Sequence, residues 1–133
     1  MERFFKIAAD IATLRDDQRI FHVGCCGIRY DNVVVVSANG PVMLGEIGET
    51  RSSFPAAHAE IRCAKKLDKH STVFVARVRR DNNEYAMARP CRSCMNVLLS
   101  KNVVKIYYTI NSTSYGIISV KNKKIISETI NYF

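Results

Sequence analysis

Two short segments constrain this chain more than anything else in it. His58-Ala59-Glu60 and Pro90-Cys91-Arg92-Ser93-Cys94 are separated by the twenty-nine residues between Glu60 and Pro90. Each sits at the start of a predicted helix, and each offers side chains that bind metal or move protons. Cys91 and Cys94 are three positions apart, so a helix carries both thiols on one face. A helix N-terminus and a bound cation both favour the thiolate. His58 falls in the first turn of the other helix. Together they form an N,S,S set that leaves the fourth tetrahedral position open for water, as a catalytic zinc ion requires.

The pattern around these segments is that of an α/β fold. Phe4, Ile7, Ala8, Ile11 and Leu14 recur at helical spacing and predict a helix over 4–18. IFHVGCCGIRY (20–30) predicts a strand, Asp31-Asn32 a two-residue turn, and VVVVS (33–37) a second strand buried on both faces. A Gly-rich loop follows over 39–54. Pro55 suits a first helical turn, with Ser53 or Phe54 near the cap, and predicts a helix to about residue 69. TVFVARV (72–78) is a third strand. A turn at 81–83 and an extended EYAMA lead to the helix opened by Pro90. VVKIYYTI (103–110) and YGIISV (115–120) are strands four and five, joined by the short turn NSTS, and the last ten residues suit one more short strand.

The order α-β-β-α-β-α-β-β predicts parallel neighbours wherever a helix links two strands and antiparallel pairs at the hairpins. The expected architecture is a single domain over 1–133: a mixed five-stranded sheet between helices, three layers α/β/α, with strands 4 and 5 antiparallel.

No apolar run reaches the 18 residues that suggest a membrane span, and the N-terminal segment carries charges of both signs. An intracellular, cytoplasmic protein is expected. The five cysteines agree, because an odd count with one C-x-x-C pair suits a reducing compartment and a metal site. Cys25, Cys26 and Cys63 read as buried small hydrophobes, and adjacent Cys25 and Cys26 on a strand point to opposite faces. The formal net charge of +8 suits nucleic acid, an anionic small substrate, or a solvated basic face.

Glu60 gains a definite task beside such a metal. A carboxylate there takes a proton from water activated by zinc and passes it to a substrate ring nitrogen and a departing amine. Attack on an amino-substituted ring carbon yields a carbonyl and ammonia. A lone HAE is commonplace, and a lone C-x-x-C is as often structural zinc or redox. As a pair, HAE and PCRSC resemble the zinc-dependent cytidine/deoxycytidylate deaminase superfamily, whose signature is H-x-E followed by P-C-x-x-C.

That resemblance implies a Zn2+ cofactor held by His58, Cys91 and Cys94, with Glu60 as the catalytic proton carrier. SANGP (37–41) is similar to the turn ending strand 2 in deoxycytidylate deaminases, which makes Asn39 a sugar-binding candidate; the alternative is a simple turn residue. The Ala59 backbone amide would read the pyrimidine edge, and Phe54 would wall the base pocket or serve the core. The resemblance further implies a homo-oligomer, a dimer or tetramer.

Its branches pull apart. Histidine as first ligand is similar to deoxycytidylate, tRNA-adenosine and polynucleotide deaminases. The short NSTS turn, with its antiparallel hairpin, is similar to the free-cytidine enzymes and to some bacterial toxin deaminases, and the tail is too short for extra C-terminal helices. His22 and His70 read as structural or exposed. Cys63 follows Glu60 on the same helical face but reads as a buried thiol. Tyr107, Tyr108 and Tyr115 read as sheet packing, with base stacking as the alternative. Arg51, Arg89 and Arg92 flank the motifs as phosphate candidates.

Three functional readings follow. The first is a hydrolase that converts a small pyrimidine substrate, a cytosine nucleoside or nucleotide, to its uracil form. The second is a cytosine or adenine deaminase acting on single-stranded DNA or RNA, favoured by the basic charge. The third is a catalytically idle zinc-binding domain, opposed by the intact Glu60.

Overall fold

The computed structural model describes residues 2–14, 21–41, 56–121 and 124–131. Helix α1 (Glu2–Thr13) buries Phe5, Ala8 and Ala12 at helical spacing and turns an exposed Lys6–Asp10 pair outward. Strands β1 (Phe21–Ile28) and β2 (Val34–Ala38) form the expected hairpin. Its turn places Asn32 at φ 69°, a left-handed conformation that asparagine tolerates. α1 packs closely on β1 at Gly24, where a Cβ would collide with the Ala8 carbonyl oxygen.

Two-residue strands β3 (Gly40–Pro41) and β4 (Ala56–Ala57) pair antiparallel just before α2 (Ala59–Ala64). Then come β5 (Thr72–Arg79), β6 (Tyr85–Ala86), α3 (Arg92–Ser100), β7 (Lys105–Thr109), β8 (Tyr115–Lys121) and β9 (Lys124–Ile130).

The main sheet runs β2-β1-β5-β7-β8-β9, with β6 extending the β7 side of β5. It is mixed: β5 and β7 are parallel, and β7 and β8 are antiparallel as the short turn required. The five expected strands are all present, and β6 and β9 enlarge the sheet.

Side-chain alternation builds two cores, one on each face. Phe5 and Ala8 of α1 pack with Cys26, Phe74, Ala76, Tyr107 and Tyr115. Ala59, Cys63 and Ala64 of α2 and Leu98 of α3 pack with Cys25, Val73, Val75, Ile106 and Ile118. Adjacent Cys25 and Cys26 thus enter different cores, as a period of two demands.

Three expectations are corrected. β2 is an edge strand with Val33 and Val34 exposed, so it is not buried on both faces. β2 and β5 are not neighbours, because β1 lies between them and pairs antiparallel with both. The second helix does not start after Pro55 or run to residue 69. Ala56 and Ala57 are drawn into pairing with Gly40 and Pro41, and only 59–64 is helical.

Candidate metal centre

The topology brings the two motifs together. β2 and β5 both oppose β1, so they run in the same direction. α2 follows β2 and α3 follows β5, so both helices begin at one end of the sheet. His58 is the N-cap of α2, extended at φ −76°, ψ 141°, and its carbonyl accepts the Arg62 N–H. Cys91 is the N-cap of α3 and accepts the Met95 N–H in the same way.

The donor atoms of His58, Cys91 and Cys94 lie within 4.8 Å of one another, and they are the metal-binding group found among the described residues. His58 Nδ1 is 3.1 Å from Cys94 Sγ and 3.7 Å from Cys91 Sγ. Tetrahedral zinc, with bonds of about 2.3 Å to sulfur and about 2.0 Å to nitrogen, holds such donors about 3.5 Å apart. The two distances straddle that value. The charges point the same way. Burial, then the charge of Glu60, push the Cys94 thiol far up. Burial also raises Cys91, but hydrogen bonds from the Ser93 hydroxyl and from the Cys94 N–H and thiol outweigh it and hold it below the ordinary thiol value.

Glu60, in the first turn of α2, is only 6% exposed. Burial raises its carboxyl above the ordinary value, against hydrogen bonding from its own N–H, the nearby His58 and a bond from the Cys94 thiol. A buried thiol and a buried carboxyl in contact, each favouring its neutral form, are the pair a divalent cation would relieve. The site therefore fits zinc.

Other side chains hold this geometry. Ser37 Oγ donates to the Ala59 carbonyl at 3.2 Å, tying β2 to the start of α2. Ser93 Oγ is 3.3 Å from Cys91 Sγ. Thr109, fully buried, donates its hydroxyl to Ala86 O at 2.8 Å and accepts the Arg77 N–H at 3.2 Å, while its carbonyl accepts the Ala88 N–H. That knot fixes the chain leading to Pro90 and Cys91. The sequence alone assigns none of these three roles. For Ser93 the signal was a hydroxyl inside C-x-S-C; Ser37 and Thr109 act across strands and leave no local pattern.

Asn39 lies one step before the β3–β4 pairs. Extending the pairs Pro41↔Ala56 and Gly40↔Ala57 by one step sets Asn39 opposite His58. Its Oδ1 accepts the Val23 N–H at 3.0 Å and its own N–H donates to Val23 O, so it lengthens the β1–β2 ladder. Ala59 is buried at the first helical position, where the N–H has no intrahelical partner. Phe54 and Arg51 lie outside the described residues.

The remaining candidates sit elsewhere. Cys63 packs in the core with Cys25. His22 is buried with Nδ1 3.1 Å from Ala12 O, at the end of α1. His70 is exposed beside Tyr30. Tyr107 and Tyr115 belong to the α1-side core, with Tyr107 stacked on Phe74 at 4.5 Å, and Tyr108 belongs to the other. Arg89 is exposed and donates to the Tyr108 hydroxyl at 3.2 Å.

Among the described residues, no helix is long and apolar enough to cross a membrane. No curated protein matches the chain. The family model of the cytidine and deoxycytidylate deaminase zinc-binding region matches residues 1–110, from α1 through β7, and so takes in both motifs. The chain belongs to that family of zinc-dependent deaminases.

Proposed function

We propose that the chain hydrolyses the exocyclic amine of a cytosine nucleoside or nucleotide, of the cytidine, deoxycytidine or dCMP type, to give the uracil form and ammonia. The observation that carries this reading is Glu60, a buried carboxyl set against Cys94 at the mouth of an N,S,S metal cluster. A purely structural site has no use for it.

His58, through Nδ1, Cys91 and Cys94 would hold the ion. Bound there, zinc supplies Lewis acidity and lowers the pKa of water at the open position toward neutrality. Glu60 would take a proton from the attacking water and deliver it to ring N3 as the C4–O bond forms. A second proton, taken by Glu60 from the new C4 hydroxyl and delivered to the exocyclic nitrogen, would let the C4–N bond break and ammonia leave as the carbonyl forms. Burial, which raises the pKa of Glu60, makes it a better base toward that proton. In this reading the Ala59 N–H would donate to the pyrimidine edge and Asn39 would bind the sugar, the roles that the family resemblance implies for them. The cysteine ligands call for a reducing compartment such as the cytoplasm.

The net charge of +8 favours one competing reading, a deaminase of single-stranded nucleic acid. One experiment separates them. Zinc-loaded protein and Glu60→Ala are incubated with cytidine, deoxycytidine, CMP, dCMP and single-stranded oligonucleotides, and ammonia and uracil product are measured. Turnover of a mononucleoside or mononucleotide that Glu60→Ala abolishes is expected. Turnover of oligonucleotides alone, with salt-sensitive binding, would replace this reading by the second, and silence on all substrates would leave adenine or modified bases, and then an idle zinc domain.

A further inference from the structure

The sheet ends in two edges that are finished differently. At the β2 edge, Lys66 Nζ donates to Val36 O at 2.8 Å and Arg62 donates to Ala38 O at 3.2 Å. Two cations, one on α2 and one just past its C-terminal end, thus occupy carbonyls that another strand would need. At the β9 edge no described residue pairs with the outer side of the strand. Six of its seven residues are exposed, including Ile125 at 51% and Ile126 at 47%. A long, regular, partly apolar edge of this kind is a template for another strand.

We propose that β9 is a homodimer interface, pairing antiparallel with β9 of a second copy across a two-fold axis at Ile126. The register selects this occupant. The β8–β9 pairs Tyr115↔Ile130, Ile117↔Glu128, Ser119↔Ile126 and Lys121↔Lys124 put Lys124, Ile126, Glu128 and Ile130 on the α1 face. With Ile126 opposite its own copy, Lys124 stands opposite Glu128 and Glu128 opposite Lys124, all on that one face. Ile125 then meets Ser127 on the other. Sliding the register by two residues sets Lys124 against Ile130 or against Ile126 and loses both ion pairs. The strand is therefore complementary to itself in one register, which is what an isologous interface requires.

The surface beside this edge suits the same occupant. A groove of about 480 Å3, lined by Leu99, Val103, Val104, Val120 and Ile125 among others, runs between α3 and the start of β9. A second strand laid along β9 extends the sheet past the mouth of this groove and covers apolar side chains together with backbone groups. The joined sheet would keep both metal clusters on their own copies.

The test uses the full zinc-loaded chain in analytical ultracentrifugation. A dimer is expected for the wild type. Lys124→Glu and Glu128→Lys, each alone, set like charges across the axis twice and should weaken the dimer about tenfold or more. Mixing the two single variants should restore association as a heterodimer, and the double variant should recover the homodimer. Both positions are exposed, so an unchanged circular dichroism spectrum and zinc content would exclude misfolding as the cause. Ile126→Cys, with oxidised glutathione as electron acceptor, should cross-link to its own copy, since directly opposed antiparallel residues lie about 4.5–5.5 Å apart at Cα, within disulfide reach. A monomer at every concentration overturns the proposal. So does a dimer that ignores both charge reversals and forms no 126–126 bond.

Discussion

The two helices that meet at the metal cluster are supported in different ways. α2 has six residues, starts on His58 and buries the carboxyl of Glu60. α3 has nine, starts on Cys91 and buries Cys94 and Leu98. A six-residue helix is far below the length that sustains itself in water. α2 is kept in place from outside: Ser37 holds the Ala59 carbonyl, and Arg62 and Lys66 reach back to β2. α3 relies more on its own length, and the segment before it is fixed by Thr109. The half that carries Glu60 is thus the short one, held by side-chain hydrogen bonds, whereas the half with both thiols is the longer helix.

The largest expected effect separates the tasks of the halves. Glu60→Ala should lower kcat by about 10²–10⁴-fold and leave zinc content near that of the wild type. Cys94→Ala should lose activity and zinc together, both read by metal analysis beside the assay. If Glu60→Ala also emptied the site, the division between the halves would fail.

Removing zinc should come next in size. Any ligand that binds only the folded state stabilises it, by about 2.7 kcal/mol at a hundredfold excess over Kd. Chelation should lower Tm, and amide exchange should rise more across 58–64 than across 92–100, because α2 has less of its own to hold it. Equal increases would show that the contrast between the helices is only one of length.

A smaller effect follows from Glu60 itself. Its folded-state pKa is raised by burial, so the protein is favoured while the group is protonated in both folded and unfolded states. That advantage is lost as pH rises from the unfolded value of about 4.3 through the raised folded one. In zinc-free protein, Glu60→Gln should therefore melt higher than wild type near neutral pH. The gap should close as pH falls below about 4. A gap independent of pH would point to packing instead of charge.

The smallest effect tests the ties. Ser37→Ala removes one hydrogen bond to α2 and should cost about 1 kcal/mol of stability. Ser93→Ala, beside the exposed Cys91, should cost less and act mainly on zinc affinity. The reverse order would mean that α3 is the more dependent helix.

Much of this was readable from the residues. β1, β5, β7 and β8 announce themselves by β-branched and aromatic runs between turn residues, and the two motifs fix which helix starts converge. What was not readable depended on partners distant in sequence. Four consecutive valines at 33–36 carry the hydropathy of a central strand, but whether a strand is central is decided by its neighbours, and β2 has β1 on one side only. β3, β4 and β6 have two residues each, too few for any period. The pairing of β3 with β4 shortens α2 at its start by drawing Ala56 and Ala57 into a ladder. The tasks of Ser37 and Thr109 likewise exist only once the strands are assembled.

Cys25 and Cys26 give this molecule an internal probe of how its layers come apart. One thiol is sealed under α2 and α3, the other under α1. Both fall in the single tryptic fragment spanning 20–29, between Arg19 and Arg29. Pulsed alkylation followed by fragment-ion mass spectrometry would reveal which of two adjacent sulfurs is modified first. Burial pushes Cys26 up to about 11, so the labelling is best done at alkaline pH, with each rate referred to that of the same residue in the unfolded chain. The order of modification would tell whether the single helix or the metal-bearing pair lifts off the sheet first.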